Sequence, residues 1–257
     1  MKKDREIGIV VYGATGYTGK LVAEYLNNQY GVGGDISWAM AGRSLEKLET
    51  VRDDLGIAKE VPLVVADASD PSSIKSMVER AAVVLTTVGP YQLYGSDLVA
   101  ACAAAGTDYV DLCGEPTWMK QMIDAHSEAA RASGARIVFS CGFDSIPFDL
   151  GVLFLQQEAQ EIFGTPVPRV RGRVAGLSGV WSGGTLASFR TTMAAAAKDP
   201  SLVATLMNPF ALTPDFTGAD QPDGLQPKYD EVLDSWVAPF VMATINTKNI
   251  HRSNLLL

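Results

Sequence analysis

The chain has 257 residues, 47% of them hydrophobic and 19% charged, which supplies a large core and excludes wholesale disorder. Its formal net charge of −8 at pH 7 excludes a general affinity for nucleic acid or for an anionic membrane surface. Three cysteines (Cys102, Cys113 and Cys141) without a Cys-x-x-Cys pair, and only His126 and His251 beside them, exclude a disulfide framework and a recognisable metal site, and predict a reduced, cytoplasmic protein.

The charged start Met1–Glu6 and the short apolar run after it do not read as a signal peptide. That run, Ile7–Tyr12, predicts a buried strand. The turn Gly13-Ala14-Thr15-Gly16-Tyr17-Thr18-Gly19 follows, and Lys20–Leu26 then carries apolar residues at helical spacing. Strand, glycine turn and helix in this order are the layout of a dinucleotide site. The glycines allow a tight turn, a close approach of backbone N–H groups to a pyrophosphate, and close helix–strand packing. The helix N-terminus adds free donors and a partial positive charge.

Residues 35–41 predict a second strand, and Ser44 caps a helix running to about Leu55. Residues 61–66 predict a third strand, and Asp70-Pro71 opens a helix that ends near Ala82. Strand 83–88, helix 96–105 closed by Gly106, strand 109–112, helix 117–133 and strand 136–140 complete the series. Alternation with such short connections predicts an α/β fold: a doubly wound parallel sheet, here a nucleotide-binding domain over residues 1–147. Its ligand belongs beyond the carboxyl ends of the strands. Residues 13–19, 42–44, 67–68, 88–91, 111–115 and 141–145 are thus expected along one cleft.

The pattern changes after residue 147. Ile146-Pro147 opens a long helix ending near Gly164, and residues 164–168 form a stiff connector. Arg169–Leu177 alternates as a strand would. A glycine-serine loop (178–184) leads into a helix of small residues through Ala197, and residues 208–227, with four prolines, predict an extended surface loop. Residues 148–257 are therefore expected to be a second α/β domain for substrate and dimerisation. The abrupt stop at Asn254–Leu257 reads as a truncation of it.

The end of the second strand discriminates between the nicotinamide cofactors. Ala41-Gly42-Arg43-Ser44 holds no carboxylate to accept from a ribose hydroxyl. Arg43 can grip a 2′-phosphate with two N–H bonds and Ser44 can add a hydroxyl, which favours NADP(H) over NAD. The competing reading makes Arg43 a solvated side chain and Ser44 only a cap. Asp67, with Ala68 beside it, is placed to meet the adenine amino group or to shape a turn.

The nicotinamide end is expected near Val88, Gly89 and Pro90. Tyr91 and Tyr94 are candidate proton donors or pocket walls. Asp111, Cys113 and Glu115 form a second cluster that orients substrate or caps a helix. Cys141-Gly142-Phe143-Asp144-Ser145 is the third: Asp144 is a candidate acid, and Cys141 lines the cofactor or, at a helix N-terminus, acts as a nucleophile. No tyrosine is followed four residues later by lysine, so the Tyr-x-x-x-Lys mechanism is excluded.

Taken together, GATGYTG at 13–19, AGRS at 41–44, VGPYQLYG at 88–95, YVDLCGE at 109–115, GFDSIPFDLG at 142–151 and SGGTLAS at 182–188 resemble the saccharopine dehydrogenase-like oxidoreductases, in particular the trans-acting enoyl reductases. The resemblance implies an NADP-binding domain and a second α/β domain. It also implies a chain longer than 257 residues and reduction of a double bond in a lipid or polyketide-type substrate carried by a separate synthase. Tyr91, Tyr94 or Asp144 would supply the proton. Two alternatives stand beside it. One is a saccharopine-type reductase of a C=N adduct, for which Arg169, Arg171, Arg173 and Arg190 would grip carboxylates. The other is a non-catalytic NADP-binding scaffold or sensor. A homodimer, and membrane association through a lipid substrate, are further expectations.

Overall fold

The computed structural model describes residues 5–179, 182–222 and 224–257. Residues 1–4, Val180 and Trp181 of the glycine-serine loop, and Asp223 of the proline-containing stretch lie outside the described residues. The chain divides into two units: residues 1–113 with 121–141, and residues 114–120 with 142–257.

The first unit is built on six parallel strands in the order β3-β2-β1-β4-β5-β6. These are β1 (Ile7–Tyr12), β2 (Trp38–Gly42), β3 (Leu63–Val65), β4 (Ala81–Thr86), β5 (Asp108–Val110) and β6 (Ile137–Val138). β1 lies at the centre, with Tyr12 opposite Ala41 of β2 on one side and Thr86 of β4 on the other. Val10, Val11, Ala39, Met40 and Val84 are fully buried, as a sheet covered on both faces requires. The expected doubly wound parallel sheet is thus the observed one, with the strand order of a Rossmann fold.

The helices α1 (Tyr17–Tyr30), α2 (Leu45–Asp54), α3 (Pro71–Arg80), α4 (Tyr91–Tyr94) and α5 (Ser96–Ala105) begin and end where local chemistry sets them. Ser44 accepts from the Lys47 N–H to start α2, and Asp70 accepts from the Ser72 N–H with Pro71 behind it to start α3. Such caps contribute about 1 kcal/mol each. Leu48 and Val51 of α2, and Ile74, Met77 and Val78 of α3, seat these helices on the sheet. Helix α6 (Pro116–Ser133) begins in the second unit and ends in the first.

The second unit contains α7 (Ile146–Phe163), α8 (Gly183–Lys198), α9 (Ser201–Met207), an antiparallel hairpin of β7 (Lys228–Asp230) and β8 (Ser235–Val237), and α10 (Ala243–Leu256). Gly164 ends α7 in the left-handed conformation. α10 is fastened to the start of α7 by Ser253 Oγ donating to Asp149 (2.8 Å) and Asn246 Nδ2 donating to the Asp144 carbonyl (2.9 Å).

Two expectations for this unit are corrected. Arg169–Leu177 forms no strand. Alternation alone cannot make one without a neighbouring edge to pair its backbone, and Gly172 and Gly176 weaken it further. The stretch 208–227 is not wholly at the surface, because Phe210, Ala211, Leu212 and Thr213 are buried. Among the described residues no helix is long and apolar enough to cross a membrane, and no cluster of His, Cys, Asp and Glu could hold a metal ion.

Candidate functional site

Each loop singled out in the first unit follows the carboxyl end of a strand, on the same edge of the sheet. Gly13 opens the first of them with φ of +93°, a conformation that L side chains rarely adopt, and its N–H donates to the Ala41 carbonyl at 2.9 Å. A Cβ there would meet Thr87 Oγ1 at 2.7 Å and Val88 Cγ2 at 2.8 Å, so only glycine lets β1 turn this close to the end of β4. Ala14 is buried, Thr15 and Thr18 are half-buried, and Tyr17 is 76% exposed. Gly16 is the N-cap of α1, so no side chain caps that helix, and its first turn holds no acidic residue. The α1 N-terminus therefore presents its donors and positive dipole end without an internal anion. Gly19 touches backbone: a Cβ would lie 2.1 Å from the Gly13 carbonyl oxygen.

At the end of β2, Arg43 is exposed and makes no ion pair among the described residues. Ser44 has its hydroxyl engaged as the α2 cap, accepting from the Lys47 N–H at 3.3 Å. Past β3, Asp67 folds back on its own turn, with Oδ1 accepting from both the N–H (2.9 Å) and the hydroxyl (2.8 Å) of Ser69. Those two bonds, with a smaller contribution from the Arg43 charge, hold the Asp67 carboxyl below the usual range.

Tyr12, the last residue of β1, was not singled out by the sequence, where it reads only as the close of an apolar run. It is buried, and burial with the nearby Asp67 carboxylate pushes its phenol up to about 12. Its hydroxyl pairs with the Ala68 backbone, and Arg43 acts on it in the opposite sense to Asp67. Tyr12 thus ties the β1 end to the 67–68 turn and brings Arg43, Asp67 and Ala68 into one neighbourhood. A tyrosine immediately before the first glycine was the available signal.

On the other half of the sheet, Val88, Gly89 and Pro90 are half-buried and lead from β4 into α4, with a cis Gly89–Pro90 bond. The Val88 N–H donates to Thr86 Oγ1 at 3.2 Å. Tyr91 is buried, its hydroxyl donating to the Thr86 carbonyl (3.4 Å) and accepting from the Leu112 N–H (3.3 Å). Tyr94, at the other end of α4, is 47% exposed. The two tyrosines therefore differ: one is committed to backbone and the other is open to a ligand.

Cys141 is half-buried with its thiol near the Val138 carbonyl (3.7 Å). It is not at a helix N-terminus, because α7 starts only at Ile146, and the nucleophile reading loses its activating dipole. Asp144 belongs to the second unit, where burial pushes its carboxyl upward. Ser145 occupies the cap position of α7 without making a side-chain capping bond. Arg173 is tied to the buried Asp230 at 2.6 Å.

The residues present fit an NADP group on three counts. The glycine cradle would be filled by any Cβ at 13 or 19, the α1 N-terminus is uncapped by side chains, and the β2 end offers an exposed arginine and no carboxylate. Residues 9–138 match the family described as saccharopine dehydrogenase NADP binding domain. The chain is 46% identical over 263 residues to a Mycobacterium tuberculosis protein whose name proposes a trans-acting enoyl reductase, and 42% identical over 264 residues to the trans-acting enoyl reductase of Mycobacterium ulcerans. Both alignments cover 98% of this chain and 62% of the relative, so the chain spans about three-fifths of their length. A solved structure of apo saccharopine dehydrogenase (L-Glu forming) from Saccharomyces cerevisiae superposes with a TM-score of 0.43 at 17% identity, over 60% of this chain and 32% of that one.

Proposed function

The chain belongs to the saccharopine dehydrogenase NADP-binding family, and from that premise we propose that it is an NADP(H)-dependent oxidoreductase reducing a C=C (enoyl) bond. The substrate is a lipid or polyketide-type acyl chain presented by a separate synthase. The observation that carries the cofactor half is Arg43, exposed at the β2 end with no carboxylate in its strand-end segment. The enoyl half is supported by the names of relatives 42–46% identical to the chain.

When bound, NADPH supplies a hydride for the β-carbon. The glycine turn and the α1 N-terminus hold the pyrophosphate through backbone N–H groups. Arg43 grips the 2′-phosphate with charge-assisted bonds, each worth about 1.5–3 kcal/mol. The protein must then deliver a proton to the α-carbon. Tyr94 Oη suits this role better than Tyr91 Oη, which is already held between two backbone groups. Asp144, whose carboxyl is pushed upward by burial, belongs to the second unit. The tie of Arg173 to Asp230 weakens the carboxylate-gripping alternative, because one of its four arginines is already paired.

The test is transfer of deuterium from C4-labelled NADPH to an enoyl thioester, read by mass spectrometry of the product. Stereospecific label at the β-carbon is expected, with turnover lowered by Tyr94→Phe and NADPH affinity unchanged. A folded protein that binds NADPH and oxidises it with no enoyl thioester would refute the reading.

A further inference from the structure

The carboxyl edge of β5 and β6 carries a hydrogen-bond network that the cofactor reading leaves without a role. Asp111 directly follows β5 and is 3% exposed. Its Oδ1 accepts from the backbone N–H groups of Ser140 (2.8 Å) and Cys113 (2.9 Å), and its Oδ2 accepts from the Tyr109 hydroxyl (2.7 Å). Its backbone carbonyl accepts from the Cys141 N–H at 2.7 Å. Ser140 in turn donates its hydroxyl to the Cys113 carbonyl at 2.5 Å. One buried carboxylate thus binds the turn after β5 to the turn after β6. A buried charge is tolerated only with such partners. Burial and the Asp111 charge hold the Tyr109 phenol well above its ordinary range, so it stays a donor.

The turn it secures is strained. Ser140 has φ of +58°, a region that disfavours any side chain, and the network supplies the bonds that keep it there. Strain of this kind gathers at ligand clamps, where surrounding contacts over-determine the backbone. The position agrees: in this strand order the β1–β3 half takes the adenosine and the β4–β6 half takes the nicotinamide. The network also reaches the end of β4, through the Leu112 N–H donating to the Tyr91 hydroxyl of α4, which in turn donates to the Thr86 carbonyl.

Resting on the NADP(H) reading above, we propose that Asp111 is a positioning residue for the nicotinamide half of the cofactor. It touches neither cofactor nor substrate. It acts by fixing the backbone at 111–113 and 140–141, against which the ring is oriented. A small displacement of such a surface is enough to lose productive geometry.

The experiment uses the 257-residue chain and two probes: NADPH, and 2′,5′-ADP, which carries the adenosine and the 2′-phosphate but no nicotinamide. Asp111→Ala is expected to weaken NADPH about tenfold or more while leaving 2′,5′-ADP within about twofold. Asp111→Asn, whose amide oxygen still accepts both backbone N–H groups, is expected to restore NADPH binding. A general loss of structure would weaken both probes together. Parallel weakening of both, or no change in either, would overturn the proposal. If Asp111→Ala does not fold, Tyr109→Phe removes one donor to the carboxylate. It should weaken NADPH about threefold with 2′,5′-ADP unchanged, and equal affinities for wild type and Tyr109→Phe would overturn the proposal. A wild-type chain that binds neither probe would instead overturn the cofactor reading and this proposal with it.

Discussion

Replacing Gly19 by alanine puts the glycine turn under the most local stress available. The new Cβ would lie 2.1 Å from the Gly13 carbonyl oxygen, 2.7 Å from the Gly13 carbonyl carbon and 2.8 Å from Ala14 Cα. All three are backbone atoms, so no side chain can rotate away, and α1 must retreat from the end of β1. Alanine gains about 1 kcal/mol over glycine inside a helix. Overpacking costs about 1–3 kcal/mol, and a backbone-on-backbone clash belongs at the upper end. The net loss is about 2 kcal/mol, or about 4–8 °C in Tm for a chain of this size. Gly16→Ala is the contrast. Its nearest contact would be 3.3 Å from the Gly13 carbonyl oxygen, and its φ of −79° is ordinary, so stability should change by no more than about 0.5 kcal/mol. A methyl there nonetheless crowds the anion-facing end of α1, and NADPH should bind about tenfold more weakly. Thermal denaturation and NADPH titration on both variants separate the two effects. A Gly19→Ala protein that melts and binds as wild type does would refute the packing argument.

Two further outcomes follow from buried titratable groups. Tyr12 has its folded pKa raised from 10 to about 12, so its contribution is fully present below pH 10 and is lost as pH rises through 12. Tyr12→Phe should flatten the fall in stability over that window, measured by denaturant melts; identical slopes would count against the burial assigned to Tyr12. Lys248 is 2% exposed, donates to the carbonyls of Leu206 and Thr244, and has its pKa lowered to about 8 by burial. The unfolded chain then binds more protons between pH 8 and 10.5, so stability should rise across that range. Lys248→Met should abolish the rise, and a rise that persists in the variant would show that another group causes it.

The first unit was legible because each of its signals is local. The apolar run of β1, the glycine turn and the period of α1 stand in sequence, and the caps Ser44 and Asp70 act within three residues of themselves. Helix α5 spans Ser96–Ala105 with Gly106 left-handed behind it, as its small apolar residues and final glycine predict. What the sequence hid depends on partners far along the chain. Arg169–Leu177 alternates properly but pairs with no strand among the described residues. Helix α10 has little amphipathic pattern because its polar residues turn inward: Asn246 and Lys248 are buried against distant carbonyls. Asp111 reads as one acid in a short motif. Its bonds across the two turns emerge only when Ser140, 29 residues later, comes within 2.8 Å. Tyr12 is hidden in the opposite way, because it completes the apolar run of β1 and its hydroxyl does not break that pattern.

The proposed role of Arg43 is to discriminate between the cofactors, so paired titrations of NADPH and NADH into the wild-type and Arg43→Ala chains come first. NADPH should bind the wild type tightly and the variant about tenfold or more weakly, while NADH binds both weakly and equally. Equal affinity of the folded wild-type chain for the two cofactors, or an NADPH affinity untouched by Arg43→Ala, would contradict a 2′-phosphate pocket at the end of β2.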